Sequence, residues 1–146
     1  MPRQPTLFVR NDHVEWKSKN PFLDDTMILS IDHVQIAMPA GEEAKARSFY
    51  VDILDFTEIS KPPQLAKRGG VWFSSGEAQL HLGVEPDFRP ARKAHMAFIV
   101  TGLDALVAKA HSAGYETDTS QPLLEGYKRA HIFDPFGNRI ELMEKL

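Results

Sequence analysis

Two histidines occupy matching places in two similar stretches of the chain. His33 lies near the start of the run DHVQIAM at 32–38, and His95 lies near the start of the run AHMAFIV at 94–100. In both runs bulky apolar residues alternate with small or polar ones, which is the period of a β-strand. An imidazole at each strand start could ligate a metal ion or carry a proton. The repetition suggests one site shared between two similar units.

Two further polar residues occupy equivalent places on the last predicted strand of each unit. Alternation puts His81 and Glu141 on the strand faces opposite their apolar neighbours. Since the apolar faces pack against helices, His81 and Glu141 are expected to face a concave cleft together with His33 and His95. Three imidazoles and one carboxylate suit a divalent metal such as Zn, Ni, Mn or Fe.

The composition limits the classes of partner. The chain has 146 residues, a net charge of −3, 42% apolar residues and no cysteine. The negative charge argues against nucleic acid, and no apolar run approaches the roughly 20 residues of a membrane span. Without cysteine there is no thiolate nucleophile and no sulfur ligand for a metal. We therefore expect a soluble cytoplasmic protein.

A repeated order of elements positions the four polar residues. Glu141 follows His81 by 60 residues and His95 follows His33 by 62, so the same pattern recurs at a nearly constant offset. The first unit is predicted as strand 30–38, helix 42–54 and strands 56–59, 71–73 and 78–84. The second is predicted as strand 94–100, a helix from 103 that stops at Gly114, and strands 115–119, 128–133 and 139–142.

These elements predict an α+β fold of two βαβββ modules that form a curved, incomplete barrel with a central cleft. We place a single domain at 29–146, with module 1 at 29–85, a linker at 86–93 and module 2 at 94–146. Residues 1–28 read as an N-terminal arm with a short strand at 6–9. The arm is interpreted as either flexible or in contact with a partner subunit.

The linker carries a small basic group. Arg89, Arg92 and Lys93 precede the strand of His95 and could attract a carboxylate or phosphate of a substrate. A solvated loop that aids solubility is the alternative interpretation. Gln35 shares the predicted cleft face of its strand with His33 and is a further candidate for substrate binding.

Three stretches carry a family resemblance: Asp32-His33-Val34, the helix segment Ser48-Phe49-Tyr50 with Leu54, and the run DPFGNRIEL at 134–142. Together they resemble the vicinal oxygen chelate superfamily, which includes glyoxalase I, fosfomycin-resistance thiol transferases, methylmalonyl-CoA epimerase, extradiol dioxygenases and bleomycin-binding proteins. The resemblance covers about 29–146. It implies a homodimer and a metal-holding cleft.

The resemblance also implies roles for individual residues. The ligand positions of the family fall on His33, His81, His95 and Glu141. His81 is a departure, because metal-binding isomerases of the family usually carry Glu or Gln there. Without His81 the set becomes a two-histidine, one-carboxylate triad, which suits Fe(II) or Mn(II).

Two catalytic candidates follow from the same resemblance. His131 matches a position that points into the family's cavity, so it is a candidate general acid/base, as is Glu141. Arg129, two residues before His131, is a candidate substrate contact.

The resemblance implies a divalent-metal enzyme for a small, oxygen-chelating substrate. A glyoxalase-like lyase or isomerase is the first hypothesis, and a dioxygenase or thiol transferase comes next. The rival hypothesis is a metal-free protein that binds an antibiotic or another small ligand. The ligand set argues against that rival.

Overall fold

The computed structural model describes residues 6–10, 13–17 and 27–146, and the chain divides into two compact units, Met1–Ile31 and Asp32–Leu146. In the first unit β1 (Thr6–Arg10) pairs antiparallel with β2 (His13–Lys17). The strand predicted at 6–9 is therefore present, and its partner strand was not predicted. The other parts of the predicted arm before residue 27 lie outside the described residues, and the role of the arm stays a prediction.

The second unit contains two modules with the predicted order of elements. Module 1 contains β3 (Val34–Met38), α1 (Glu43–Tyr50), β4 (Thr57–Ile59), α2 (Pro63–Ala66), β5 (Val71–Ser75) and β6 (Ala78–Val84). Module 2 contains β7 (Met96–Ile99), α3 (Leu103–Ser112), β8 (Thr117–Asp118), β9 (Tyr127–Phe133) and β10 (Arg139–Lys145).

Each module forms one four-stranded sheet, in the orders β3-β6-β5-β4 and β7-β10-β9-β8. The first strand of each module pairs parallel with the last, and the other pairs are antiparallel. The described strands close no barrel. The predicted α+β class with two βαβββ modules is confirmed.

The first strand of each module starts later than the sequence predicted. Val34 pairs with Leu80 near the start of β6, and Met96 pairs with Ile140 near the start of β10. The parallel ladders begin at these two pairs, although β6 itself begins at Ala78 and β10 at Arg139. His33 and His95 consequently lie one residue before their strands.

Three other boundaries differ from the prediction. Helix α1 ends at Tyr50 instead of 54, and the turn that follows it contains Asp55 in the left-handed region at φ 59°. The short helix α2 occupies a predicted loop, and Pro63 supplies its first turn with a pre-set φ. Strand β8 covers two residues of the predicted strand 115–119.

One apolar core joins the two modules. The rings of Phe56 and Phe98 lie 5.6 Å apart, edge to face, and the buried Tyr50 hydroxyl donates to Oδ2 of Asp134 at 2.8 Å. Asn138 Nδ2 also donates to the Ala37 carbonyl at 3.0 Å. The helices of residues 27–146 include none long and apolar enough to cross a membrane.

Candidate metal centre

Polar side chains converge on the cleft face of the module 2 sheet. The register of the β9–β10 hairpin puts His131 directly opposite Glu141. His95 Nε2 lies 3.1 Å from Glu141 Oε2, and His131 Nε2 lies 3.8 Å from the same oxygen. One donor atom from each of these three residues lies within 4.8 Å of the other two. The group offers two nitrogens and one oxygen to a cation.

The turn between β9 and β10 fixes this register. The Asp134 carboxylate accepts hydrogen bonds from the backbone amides of Phe136 and Asn138 at 2.9 and 2.8 Å, and from Asn138 Nδ2 at 2.9 Å. Burial raises the pKa of Asp134, and these hydrogen bonds oppose the rise. An aspartate that satisfies its own turn in this way favours a tight connection between antiparallel strands. The motif DPFGN thus positions both His131 and Glu141.

Glu141 is buried, with 6% of its surface exposed. Burial disfavours the charged carboxylate, but hydrogen bonds from Arg129 and His95 outweigh burial and hold the pKa of Glu141 below its usual range. Arg129 Nη1 donates to Oε1 at 2.9 Å, which leaves Oε2 turned towards the two histidines. A carboxylate oriented by an outer partner is the usual arrangement of a metal ligand.

A backbone carbonyl two residues earlier in the chain orients His95. His95 Nδ1 lies 2.8 Å from the carbonyl oxygen of Lys93, which fixes Nδ1 as the protonated nitrogen. In neutral His95, Nε2 is then an acceptor that faces the carboxylate oxygen of Glu141. Contact at 3.1 Å therefore requires either a proton on Nε2, which then donates to Glu141 Oε2, or a metal ion between the two atoms.

His131 is 1% exposed, and neither of its ring nitrogens has a hydrogen-bond partner among the described residues. Burial lowers its pKa, and the nearby charge of Arg139 lowers it further. An unpartnered buried imidazole is costly to a fold. Its position beside two potential ligands therefore fits a site that holds a metal and moves a proton.

The corresponding residues of module 1 form a stack of rings. Trp72 lies opposite His81 in the β5–β6 register, and their rings are parallel with centroids 3.8 Å apart. The His33 ring also stacks on His81, with ring centroids 4.1 Å apart. Nδ1 of His33 lies 2.8 Å from Asp32 Oδ2. His81 is buried, its Nε2 has no partner among the described residues, and burial lowers its pKa.

The four predicted ligands thus fall into two clusters. The module 2 cluster contains His95 and Glu141, and the module 1 stack contains His33 and His81. The one group of three close donors found among the described residues contains no residue of module 1. A shared quartet stays a prediction.

The predicted substrate contacts are dispersed. Arg92 lies over the Phe133 ring at 4.7 Å and faces Glu116 at 3.5 Å, whereas Arg89 and the Lys93 side chain are exposed. Arg129 is an ion-pair partner of Glu141. Gln35 is exposed and lies over Gly83, where an added Cβ would meet its Nε2 at 2.7 Å.

Two residues of the cleft face were missed. Trp72 and Phe73 alternate across one strand, and alternation alone does not decide which of them faces the cleft; the register with His81 places Trp72 in the stack. Alternation puts Arg139 on the same strand face as Glu141 but assigns it no role, whereas its buried Nε has no hydrogen-bond partner among the described residues. Alternation identified its face, and burial alone reveals the missing partner.

Comparisons with known proteins agree with this fold. A family model described as the Glyoxalase/Bleomycin resistance protein/Dioxygenase superfamily matches residues 30–142. A solved glyoxalase family protein from Bacillus anthracis is 43% identical, with a TM-score of 0.75, over 84% of this chain and 100% of that one. A glyoxalase family protein from Enterococcus faecalis is 25% identical, with a TM-score of 0.60, over 79% and 97%.

A more distant structure shows the fold alone. The fosfomycin resistance protein FosX from Listeria monocytogenes, solved with Mn(II) and sulfate, is 16% identical, with a TM-score of 0.68, over 82% of this chain and 93% of that one. Among curated proteins, none matches the chain.

Proposed function

The chain belongs to the Glyoxalase/Bleomycin resistance protein/Dioxygenase superfamily, and we propose that it is a divalent-metal enzyme for a small substrate that chelates the metal through adjacent oxygens. The observation that carries this proposal is the convergence of His95, His131 and Glu141 within 4.8 Å. A glyoxalase-like lyase or isomerase is the activity that we propose first, because such reactions require a base beside the metal.

His95 and Glu141 are the metal ligands of module 2 in this proposal. The Lys93 carbonyl orients His95, and Arg129 orients Glu141, so both donors are fixed before a metal arrives. Zn, Ni, Mn and Fe all accept such nitrogen and oxygen donors. When bound, the metal supplies positive charge that stabilises negative charge developing on the chelating oxygens of the substrate.

His131 is the proton carrier. Its lowered pKa keeps the imidazole neutral at neutral pH, so one ring nitrogen can accept a proton from the substrate. Its Nε2 lies 3.8 Å from Glu141 Oε2, so the proposed base is adjacent to the proposed metal ligand. Burial at 1% exposure keeps bulk water from competing for that proton.

We propose that His33 and His81 complete the ligand set from a second copy of the chain. Two features support this: the module 1 stack stands apart from the donor group, and β3 and β7 are both edge strands of their sheets. Edge strands carry unpaired backbone groups that favour pairing with another chain. Ile99 on β7 is 61% exposed, so apolar surface is also available there. The homodimer and the cytoplasmic location remain predictions.

Metal analysis of protein purified without a histidine tag tests the proposal. We expect one divalent ion per chain, its loss in Glu141→Gln, and its retention in His111→Ala, which removes an exposed imidazole of α3. If none of Zn, Ni, Mn and Fe binds at micromolar concentration, the metal-free binding protein becomes the better explanation.

The reaction type is decided with metal-loaded protein. A hemithioacetal of a 2-oxoaldehyde tests the lyase or isomerase, an epoxide with a thiol tests the transferase, and a catechol with oxygen tests the dioxygenase. We expect turnover of the first, together with its loss in His131→Gln. Turnover of either other substrate alone would assign the chain to that activity instead.

A further inference from the structure

A polar cavity of about 520 Å³ opens on the cleft face of module 2. It lies beside the metal centre, because Arg139 precedes Glu141 by two residues on β10, and Asp118 lies opposite His131 in the β8–β9 register. The lining includes Arg92, Glu116, Asp118, Gln121, Phe133 and Arg139. The cavity and the metal centre are thus neighbours on one face of the sheet.

Most charges of this cavity already have partners. Asp118 accepts hydrogen bonds from Ser120 N and Oγ at 2.8 and 2.6 Å and from Gln121 Nε2 at 3.0 Å, which lower its pKa to about 2. Glu116 faces Arg92 at 3.5 Å. Both carboxylates are thus engaged with donors of the protein itself.

Arg139 is the exception. Its Nε is buried and has no hydrogen-bond partner, and no ion pair among the described residues includes its guanidinium. A buried donor on a charged group is expensive when it is unpaired. A planar guanidinium binds carboxylate and related oxyanions through two parallel hydrogen bonds. Arg139 lines the cavity without an ion-pair partner among the described residues, and an oxyanion in the cavity would supply one.

We propose that Arg139 binds an oxyanionic group of the substrate, so that the substrate is a small organic acid. The inference rests on the proposed function, since it places the chelating oxygens of the same molecule at His95 and Glu141. Two residues along a strand span about 7 Å of backbone, so both groups lie within reach of one small molecule. The exposed Arg92, which pairs with Glu116 at 3.5 Å, adds a second positive charge at the mouth of the cavity.

Matched probes test this subsite on the metal-loaded full chain. 2-Hydroxyglutarate and its 5-carboxamide share a chelating head and differ in the charge of the distal group. We expect the wild type to bind the acid about 10- to 100-fold more tightly than the amide in calorimetry. In Arg139→Met that preference is expected to disappear, while affinity for the amide and metal content stay unchanged.

Two further variants keep the test decisive. Arg68→Met removes an exposed arginine of the α2–β5 connection and is expected to keep the full preference for the acid. Arg139→Lys, which keeps the charge without the planar fork, is expected to give an intermediate preference and replaces Arg139→Met if that variant does not fold. Equal preference in the wild type and Arg139→Met, or none in the wild type, overturns the subsite.

A titration without metal distinguishes failure of the Arg139 subsite from failure of the proposed metal function. Arg139 is in place without metal, so a nitrogen-15 titration of metal-free protein with glutarate reports on the Arg139 Nε–H resonance, identified by its loss in Arg139→Met. A saturable shift supports the subsite even if no metal binds. The absence of a saturable shift at millimolar glutarate contradicts it even if the metal centre is confirmed.

Discussion

The two modules place different chemistry at equivalent positions of the same kind of sheet. Paired residues form a row that crosses neighbouring strands of each sheet. In module 1 this row contains Gln35 on β3, His81 on β6 and Trp72 on β5. In module 2 it contains Ala97 on β7, Glu141 on β10 and His131 on β9. In module 1 the central residue is a neutral imidazole stacked on an indole. In module 2 it is a carboxylate that faces two imidazoles.

The neighbouring row explains how each centre is held. In module 2, Arg129 on β9 fixes the Glu141 carboxylate, whereas the corresponding place before β5 in module 1 holds Gly70. Gly70 has a φ of 82°, and an added Cβ would lie 2.2 Å from the Leu82 carbonyl oxygen, so no side chain fits there. The same strand order thus supports a charged cluster in module 2, suited to a metal and a proton, and a stack of aromatic rings in module 1.

The comparison is tested most severely at its two central residues. Glu141→Gln is expected to weaken Mn or Zn binding about 100-fold or more, because outer-shell partners alone are worth 10- to 100-fold. His81→Gln is expected to weaken that binding about tenfold or less, because glutamine keeps an oxygen donor at the position. Competitive titration against a chromophoric chelator measures both. Equal losses would make the two halves equivalent.

The partners of those central residues give the next contrast. His131→Phe is expected to lower turnover roughly 10²- to 10⁴-fold with metal content retained, since it removes the proposed proton carrier. Trp72→Phe keeps a ring against His81 and is expected to change turnover less than about threefold and stability by about 0.5–1.5 kcal/mol. Steady-state kinetics with metal analysis checks both variants. Loss of the metal from the His131→Phe variant would instead indicate that His131 is a metal ligand.

The hydrogen bond between Tyr50 of module 1 and Asp134 of module 2 is expected to have a smaller effect, on stability. Tyr50→Phe removes the hydroxyl that donates to buried Asp134 and is expected to lower the free energy of unfolding by about 1.5–3 kcal/mol. Tyr115→Phe is the matched control, because the Tyr115 ring packs edge to face on Phe49 and its hydroxyl has no hydrogen bond among the described residues. Urea unfolding compares the two. Equal stabilities would show that the hydrogen bond contributes nothing.

Acidity tests a property that the halves share. Burial lowers the pKa of His81 and of His131 below 6.5, so below pH 6.5 the unfolded chain binds more protons than the folded one. In metal-free protein the stability is complete above pH 6.5 and falls as pH drops towards the folded pKa values. Each histidine contributes at most about 1.4 kcal/mol per pH unit.

Urea unfolding with a chelator, repeated across this range, measures the slope. His81→Gln and His131→Gln are each expected to reduce it. An unchanged slope in both variants would mean that other groups dominate the response to acid.

Much of this arrangement could be predicted from periodicity. Alternation placed His81 and Glu141 opposite their apolar neighbours, and the constant offset paired the elements of the two modules. The composition of the DPFGN motif is typical of a turn, but the register of His131 against Glu141 that this turn sets is visible only in the structure.

Other features depend on tertiary structure. The starts of β3 and β7 depend on where their parallel ladders with β6 and β10 begin, and strand propensity does not contain that information. Whether Trp72 or Phe73 faces the cleft depends on the register with β6. The role of Arg139 follows from a partner that is missing, and a missing partner is visible only when burial is known.

The central claim is that module 2 holds the metal. Anomalous diffraction from a crystal grown with Mn(II) or Zn(II) tests it most directly, because it locates the ion without reference to activity. We predict one strong peak per chain within about 2.5 Å of both His95 Nε2 and Glu141 Oε2. A peak beside His33 and His81 with neither His95 nor Glu141 in contact would contradict the claim.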